Sequence, residues 1–487
     1  MNKKTFVGID LGTSSVKLLL MDETGFIMDT LSRSYKISRP EFGWSEQSPE
    51  DWFAAIIDGL KLLLQKHPEE DIGAISFAGQ MHGLVALDSV DKVIRPAILW
   101  NDVRSNEETK YLNNEIGEET LVRETGNIAF SGFTAPKLLW MKKHEPDLFA
   151  NISKIMLPKD YIVYRFTGNH STDLSDASGT LLFNVKKQNW SSEMLKIVGI
   201  KEEQMPQVYK GNDIVGYLRP DLAANLGLDT DVLVTAGAAD NAAAAVGTGT
   251  ITPGKATVSL GTSGTVFVAT GEYLPLENHA VHQFCHTDGS YHLMGCMLSA
   301  AAANEWWLEN ILQQDYSFNE YNRSELKGQN LYFLPYLSGE RSPHNDEKVR
   351  GAFVGLSVDT SAEDMSMAVL EGISFGLKDS LEIIRDLGFD LKDLGATGGG
   401  AKSASWLKLL SDIFAARLYT MDHEEGPAYG AAILAAVGAD VWPSVAEAST
   451  SLAKIKKTVE PDDARNSYFA EKYQRFCELY PMLKNFY

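Results

Sequence analysis

The chain has 487 residues, 44% hydrophobic and 22% charged, which is ordinary for a folded globular protein, excludes long disorder, and at this length predicts two lobes and not one core. Its 65 acidic and 44 basic residues leave a formal net charge of −21, which excludes the basic surface that a nucleic-acid binder needs. Cys285, Cys296 and Cys477 form no CxxC pair, so a disulfide scaffold and a structural zinc site are not expected and a reducing compartment fits.

The N-terminus, MNKKTFVGID, is basic but lacks the apolar run of a signal peptide, and no stretch of about twenty apolar residues follows. A cytoplasmic protein with no membrane span is expected. Residues 5–9 and 16–20 are β-type runs around Leu11-Gly12-Thr13-Ser14, and read as a hairpin. Ser48-Pro49-Glu50-Asp51 predicts a helix start, with a Ser cap, Pro at the first position and acids in the first turn. The apolar-periodic residues 52–64 continue it, and residues 72–78 read as a buried strand. The segment VGTGTITP at 246–253 is a Gly/Thr/Pro-rich boundary. Beyond it the first pattern repeats: residues 255–259 and 265–269 flank Leu260-Gly261-Thr262-Ser263. Equal flanks on both tetrapeptides predict duplication, one hairpin opening each of two similar lobes. Further on, residues 362–385 read as a helix, 394–397 as a strand and 404–416 as a helix. The whole is α/β, with strands feeding loops at their carboxyl ends, where ligands of such folds sit.

Chemistry concentrates at those ends. Gly12 allows close backbone approach to a phosphate, Thr13, Ser14 and Ser15 supply donors, and Asp10 ends the strand where its carboxylate suits a magnesium ion. A single copy reads equally as a polar turn; two copies favour function. In the second copy Ser259 stands where Asp10 stood, so Gly261, Thr262 and Ser263 are expected to clamp phosphates while the metal carboxylate comes from the first. Asp240 follows a β-branched run and precedes a helix expected to start at about Asn241, so it reads either as an N-cap or as a carboxylate facing a cleft, able to take the proton of an attacking hydroxyl. Gly79-Gln80-Met81-His82-Gly83 ends a strand and suggests a binding turn, His82 bonding a sugar hydroxyl and Met81 packing on a sugar face; a structural His and a core Met are the plain alternatives. Trp100, Asn101, Asp102 and Arg104 read as a polyol-holding group or as a buried Trp beside a surface salt bridge. Gly398-Gly399-Gly400, with Lys402 and Ser403, misses the P-loop pattern. It partly fits a dinucleotide fingerprint, with Ser403 in place of the last Gly and Asp422 about twenty residues on. That keeps an NAD-dependent dehydrogenase as a rival, although such an enzyme has no use for the paired hairpins. No zinc-spaced cluster and no G-x-S-x-G elbow occurs.

Taken in order, these segments resemble the FGGY carbohydrate kinases of the actin/hexokinase-like ATPase superfamily, over nearly the whole chain. Residues 10–15 resemble the family's first phosphate motif, 260–265 its second and 394–414 its adenosine motif. Gly132-Phe133-Thr134-Ala135-Pro136-Lys137-Leu138-Leu139-Trp140-Met141 fits one family signature, and Gly351-Ala352-Phe353-Val354-Gly355-Leu356, running on to Leu370-Glu371-Gly372, fits the other. The resemblance implies a two-lobed, ribonuclease H-like fold with an interlobe cleft, residues 1–248 binding sugar and 249–487 binding nucleotide. It implies ATP and Mg2+, with Asp240 as general base, Asn241 beside it at the sugar, and Asp10 at the metal. It places Thr13, Ser14, Ser15, Gly261, Thr262, Ser263, Gly399, Gly400 and Ser403 at the nucleotide, and Met81, His82, Trp100 and Asp102 at the sugar. Within the family, Gln80-Met81-His82-Gly83 and the segment Tyr336-Leu337-Ser338-Gly339-Glu340-Arg341-Ser342-Pro343-His344-Asn345 are similar to members acting on D-xylulose. Glycerol-acting members carry Arg-Glu at 81–82, which disfavours glycerol. Ribulose and gluconate stay open, and a homodimer follows from family habit. A non-enzymatic sugar sensor is the third reading, against which Asp10 and Asp240 both speak.

Overall fold

A computed structural model describes residues 4–276, 279–314, 330–423 and 425–487. Strand β1 (Lys4–Leu11) is apolar almost throughout and buried on both faces, as a strand covered on both sides must be. It pairs antiparallel with β2 (Ser15–Asp22), Asp10 opposite Lys17, and β2 pairs antiparallel with β3 (Ile27–Ser34). Helix α1 (Pro49–Lys66) buries Trp52, Ile56, Gly59, Leu60 and Leu63, a stripe at helical spacing. Pro49 and the acids Glu50 and Asp51 open it as expected, but the Ser48 hydroxyl makes no cap; the Asp51 N–H donates to the Ser48 carbonyl at 3.0 Å. The predicted strand at 72–78 is β4 (Asp71–Gly79), parallel to β1. After α2 (Pro158–Thr167) come β5 (Ile214–Tyr217), β6 (Leu233–Thr235), the two-residue β7 (Ala238–Ala239) and α3 (Asp240–Gly247). The sheet runs β5-β6-β4-β1-β2-β3, with β7 continuing alongside β4 beyond β6.

The second sheet repeats this plan. β8 (Ala256–Leu260) and β9 (Gly264–Thr270) form the second predicted hairpin, and β9 pairs antiparallel with β11 (Tyr291–Met297), flanked by β10 (His282–Cys285). Helix α4 (Ala362–Asp386) leads to β12 (Asp393–Thr397), parallel to β8; α5 (Ala404–Phe414) leads to β13 (Arg417–Met421), parallel to β12. The order β3-β2-β1-β4-β6 in one sheet therefore matches β11-β9-β8-β12-β13 in the other, strand direction included. This is the duplication that the paired tetrapeptides predicted.

The chain then crosses back. Helix α6 (Gly426–Gly438) is apolar all round and joins the core of the first sheet with Phe6, Ala74 and Ala78. A helix without a polar face must be buried on every side. Two glycines allow the approach: a Cβ on Gly8 would meet the Ala428 carbonyl at 2.0 Å, and one on Gly430 would meet the Ala243 carbonyl of α3 at 1.8 Å. Helix α7 (Val445–Leu452) follows on the same side, its Ser449 hydroxyl donating to the Val246 carbonyl at 2.5 Å. Only then does β14 (Ile455–Val459) return to pair with β13, and α8 (Asp463–Leu483) packs Phe469 and Phe476 into the second core. No helix among the described residues is long and apolar enough to cross a membrane.

Candidate active site

Three parallel strand ends define the site. Leu11 of β1 and Ala239 of β7 both stand in register with Gly79 of β4. Asp10, the turn at residues 80–83 and Asp240 consequently open at one edge of one sheet. Asp10 is half-buried, and its enclosed Oδ1 has no protein partner. Burial, with the charge of Asp240 adding to it, pushes its carboxyl up to about 7 against the pull of Lys17. Asp240 is the first helical residue of α3 and not its cap, which is Ala239; the helix begins one residue earlier than expected. Its Oδ1 accepts from the Asn241 N–H at 2.7 Å and from Asn241 Nδ2 at 2.9 Å. Burial pushes it up to about 6, opposed by those two bonds.

A buried ion cluster backs this edge. Lys159 Nζ lies 2.6 Å from Asp160, 3.2 Å from Asp173 and 3.9 Å from Asp176, all four side chains fully buried. Burial opposes the Lys159 charge, and the three carboxylates outweigh it and hold its pKa up. Asp173 accepts from the Ser175 hydroxyl at 2.5 Å, and the same Ser175 oxygen accepts the Ala239 N–H at 3.0 Å. The residue before Asp240 is thus tied to the cluster.

The turn at 80–83 is held from three sides. His82 has φ +69, a conformation uncommon outside glycine. Its carbonyl accepts from Thr134 Oγ1 at 3.1 Å and from the buried Lys137 Nζ at 2.9 Å. Burial holds the imidazole down to about 3, so it is neutral, and Nδ1 donates to the Gly179 carbonyl at 2.6 Å. That tautomer leaves Nε2 as an acceptor. Met81 is buried in the core cluster of the first sheet. Trp100 donates from Nε1 to Thr13 Oγ1 at 3.0 Å, joining the wall at residues 100–104 to the first hairpin tip. Asp102 is engaged within the protein: Oδ1 accepts from Arg104 N and Nε at 2.9 Å each, Oδ2 from Ser45 N at 2.6 Å and Arg104 Nη2 at 2.7 Å. Both oxygens being used, Asp102 holds the wall together and has none left for a sugar in this conformation. The pair is buried, where a surface salt bridge was the alternative.

The two hairpin tips are held by hydrogen bonds to neighbouring segments, and their residues 12–15 and 261–263 are not among those lining the cavity described below. Tyr35 donates its hydroxyl to the Gly12 carbonyl and Gln47 Nε2 donates to the Thr13 carbonyl at 2.8 Å, fixing the first tip while Ser14 stays exposed and Ser15 half-buried. In the second, the Gly261 and Thr262 carbonyls accept from Ala301 and Ala300 N–H groups at 2.9 and 3.0 Å. Thr262 is exposed and Ser263 half-buried. A cavity of about 890 Å3 runs from Asp240, Asn241 and Thr248 past Ser259 to Gly398, Gly399, Leu407, Met421 and Pro427, with Lys402, Lys456 and Lys457 on its wall. Gly399 lines it, whereas Gly400 packs against Leu260 and Trp406, and the Ser403 hydroxyl caps α5 through the Trp406 N–H at 3.2 Å. Gly399 and Gly400 are themselves part of a 3-10 turn, Gly399–Lys402, that ends before α5 begins. The helix therefore does not open on the Gly-rich turn, as a dinucleotide fingerprint requires.

Sequence reasoning passed over the Lys159 cluster, whose members come from separate segments, and Lys137 and Arg341, which lie inside the quoted segments at 132–141 and 336–345 without being singled out.

Two sheets of matching topology, each opening on a glycine hairpin, and two half-buried carboxylates at adjoining strand ends define an actin/hexokinase-like phosphotransferase fold. The chain belongs to the FGGY family of carbohydrate kinases: the N-terminal family domain matches residues 5–247 and the C-terminal domain residues 256–439. It is 39% identical over 482 residues to the xylulose kinase of Escherichia coli K12, covering 98% of this chain and 99% of that one. A crystal structure described as a xyloylose kinase from Brucella ovis superposes with a TM-score of 0.93 at 41% identity, covering 99% of this chain and 100% of that one. A gluconate kinase from Lactobacillus acidophilus also reaches 0.93, at 27% identity and 99% and 98% coverage.

Proposed function

We propose that this protein transfers the γ-phosphoryl group of ATP to D-xylulose, giving D-xylulose 5-phosphate and ADP. The observation that carries the reading is the convergence of Asp10, the turn at 80–83 and Asp240 on one sheet edge, in a chain similar over its full length to xylulose kinases. The sugar lies against His82 and Trp100, with Asn241 beside its reacting end, and Nε2 of His82 accepts from a hydroxyl. Asp240 accepts the proton of the attacking hydroxyl as its oxygen forms the bond to phosphorus; a carboxyl raised to about 6 is ionised at neutral pH and more basic than an ordinary aspartate. The adenosine occupies the cavity against Leu407, Met421 and Pro427, and the phosphates reach toward Gly12–Ser15 on one side and Gly261–Ser263 on the other, where backbone N–H groups approach them.

A divalent cation fits the residues present. Asp10 has a buried oxygen without a partner, and no larger group of metal ligands occurs among the described residues. One carboxylate completed by waters and phosphate oxygens is what magnesium takes. Asp10 would hold the ion, which offsets charge on the transferring group. Closing the lobes removes water from around Asp240.

The test is a coupled ADP-release assay with MgATP against D-xylulose, L-ribulose, glycerol, gluconate and no sugar. D-xylulose is expected to give the highest kcat/KM. Gluconate ahead of it would keep the phosphotransfer and move the sugar, and no sugar-dependent ADP release at all would sink the kinase reading.

A further inference from the structure

The loop at 336–345 belongs to the second lobe, yet one of its side chains stands at the sugar-side wall of the first. Its backbone is pinned around Arg341. Buried Glu340 accepts at Oε1 from the Arg341 N–H at 2.7 Å and the Leu298 N–H at 3.0 Å. The Ser342 N–H donates to the Cys296 carbonyl at 2.9 Å, and the Asn345 N–H to the Arg341 carbonyl at 2.6 Å. The guanidinium so aimed sits 5.2 Å from the ring centre of Phe130. Gly132 leaves it room: a Cβ there would stand 3.4 Å from Arg341 Nη2 and 2.5 Å from the Trp100 carbonyl. Trp100 in turn bonds Thr13 of the first hairpin. His82 stacks on Phe133 at 4.6 Å, and Phe130 and Phe133 both contact His282, so the guanidinium faces the aromatic and imidazole surface around the turn at 80–83. It is close enough that its charge helps hold both imidazoles neutral, after burial itself.

Among the described residues this cation has no charged partner. No carboxylate lies within ion-pair distance among the described residues. The adjacent Glu340 turns Oε1 to backbone N–H groups, its Oε2 is buried without a hydrogen-bond partner, and burial pushes the carboxyl up to about 8, mostly uncharged at neutral pH. The Cys296 thiol stands within hydrogen-bonding reach of it. A half-buried guanidinium offers five N–H donors in a planar fork. A polyhydroxylated ligand has the acceptors to match it.

We propose that Arg341 is a substrate-binding residue contributed by the second lobe, donating hydrogen bonds to the oxygens of the sugar that lies against His82. Sugar binding then needs both lobes, the first through His82 and Asp240 and the second through Arg341. The inference rests on the carbohydrate-kinase reading of this site.

Arg341→Met and Arg341→Gln are compared with wild type in initial-rate assays, varying sugar at saturating MgATP. Nucleotide affinity is read separately by titrating a fluorescent ATP analogue without sugar, and folding by thermal melting. Both variants are expected to raise the sugar KM about tenfold or more, the effect of a lost charge-assisted hydrogen bond, with analogue affinity kept within twofold. Should the Met variant not fold, the polar Gln variant carries the same comparison. A sugar KM within twofold of wild type, or an equal loss of analogue affinity, overturns the proposal while the kinase reading stands. A wild-type protein that turns over no sugar overturns both.

Discussion

Asp240 and Asp10 are half-buried carboxylates within reach of each other's charge, and their titration is the most direct handle on the site. Asp240 is raised to about 6 and must be ionised to take a proton, so kcat/KM for the sugar should rise from pH 5, bend near 6 and level above it. Asp240→Asn should lower kcat about 10²- to 10⁴-fold, the range of a lost general base, with ATP-analogue affinity kept. Loss of less than tenfold would remove Asp240 from that role. Because the native carboxyl is raised above its ordinary value, the ligand-free protein is favoured while the group is protonated and loses stability as pH climbs from about 4 through about 6. Asp240→Asn should therefore melt higher than wild type at pH 8 and not at pH 4. Asp10, pushed up to about 7, holds a proton where a cation would bind. Affinity for MgATP by calorimetry should tighten as pH rises through about 7, and Asp10→Asn should flatten that dependence. At this scale the sequence was informative about which side chains carry charge at strand ends. It was silent about partners: Asp102 lies inside a motif that suggests a sugar contact, and only the fold brings the Ser45 N–H against its second oxygen.

The elements that were legible are those whose signals are local. The two hairpins are written in β-type flanks around Gly-Thr-Ser, and α1 in Pro49, its acids and its apolar spacing. The ion cluster behind Asp240 has no such signature, because Lys159 and Asp160 open α2 while Asp173 and Asp176 lie beyond it. Its consequence is nevertheless definite. Replacing Lys159 by Met leaves three carboxyl groups enclosed without their cation. Breaking a buried pair from one side costs about 3–5 kcal/mol, so urea unfolding at pH 7.5 should show a loss of that order. Burial raises Asp173 and Asp176, so protonation relieves the uncompensated charge and the loss should shrink toward pH 5. A loss independent of pH would mean that the missing packing of the Lys159 stem, and not the charge, is responsible.

At the scale of the whole molecule, the repeated tetrapeptide announced two lobes, and the sheets bear this out strand for strand. The return of α6 was not legible. Its alanines and glycines mark a helix buried on all sides, but periodicity does not say against which sheet, and by chain order it falls with the second. In the structure it lies in the first core and crosses α3, where Gly426 and Pro427 of α6 and Ala244 of α3 line the cavity proposed for the nucleotide. The crossing is as close as backbones allow: a Cβ on Gly430 would stand 1.8 Å from the Ala243 carbonyl, and one on Gly247 would stand 2.5 Å from that of Gly426. Neither obstacle is a side chain that can swing away, so Gly430→Ala must push the helices apart. Overpacking of this kind costs about 1–3 kcal/mol, and the displacement is passed directly to Gly426 and Pro427. The variant should melt several degrees lower and bind the ATP analogue more weakly, while the sugar KM, set by groups on β4 and the wall at Trp100, changes less. An unchanged melting temperature would mean that the helices do not cross this closely in solution. A lowered melting temperature with unchanged nucleotide affinity would mean that the α6 N-terminus is positioned from the β13 side, independently of the crossing.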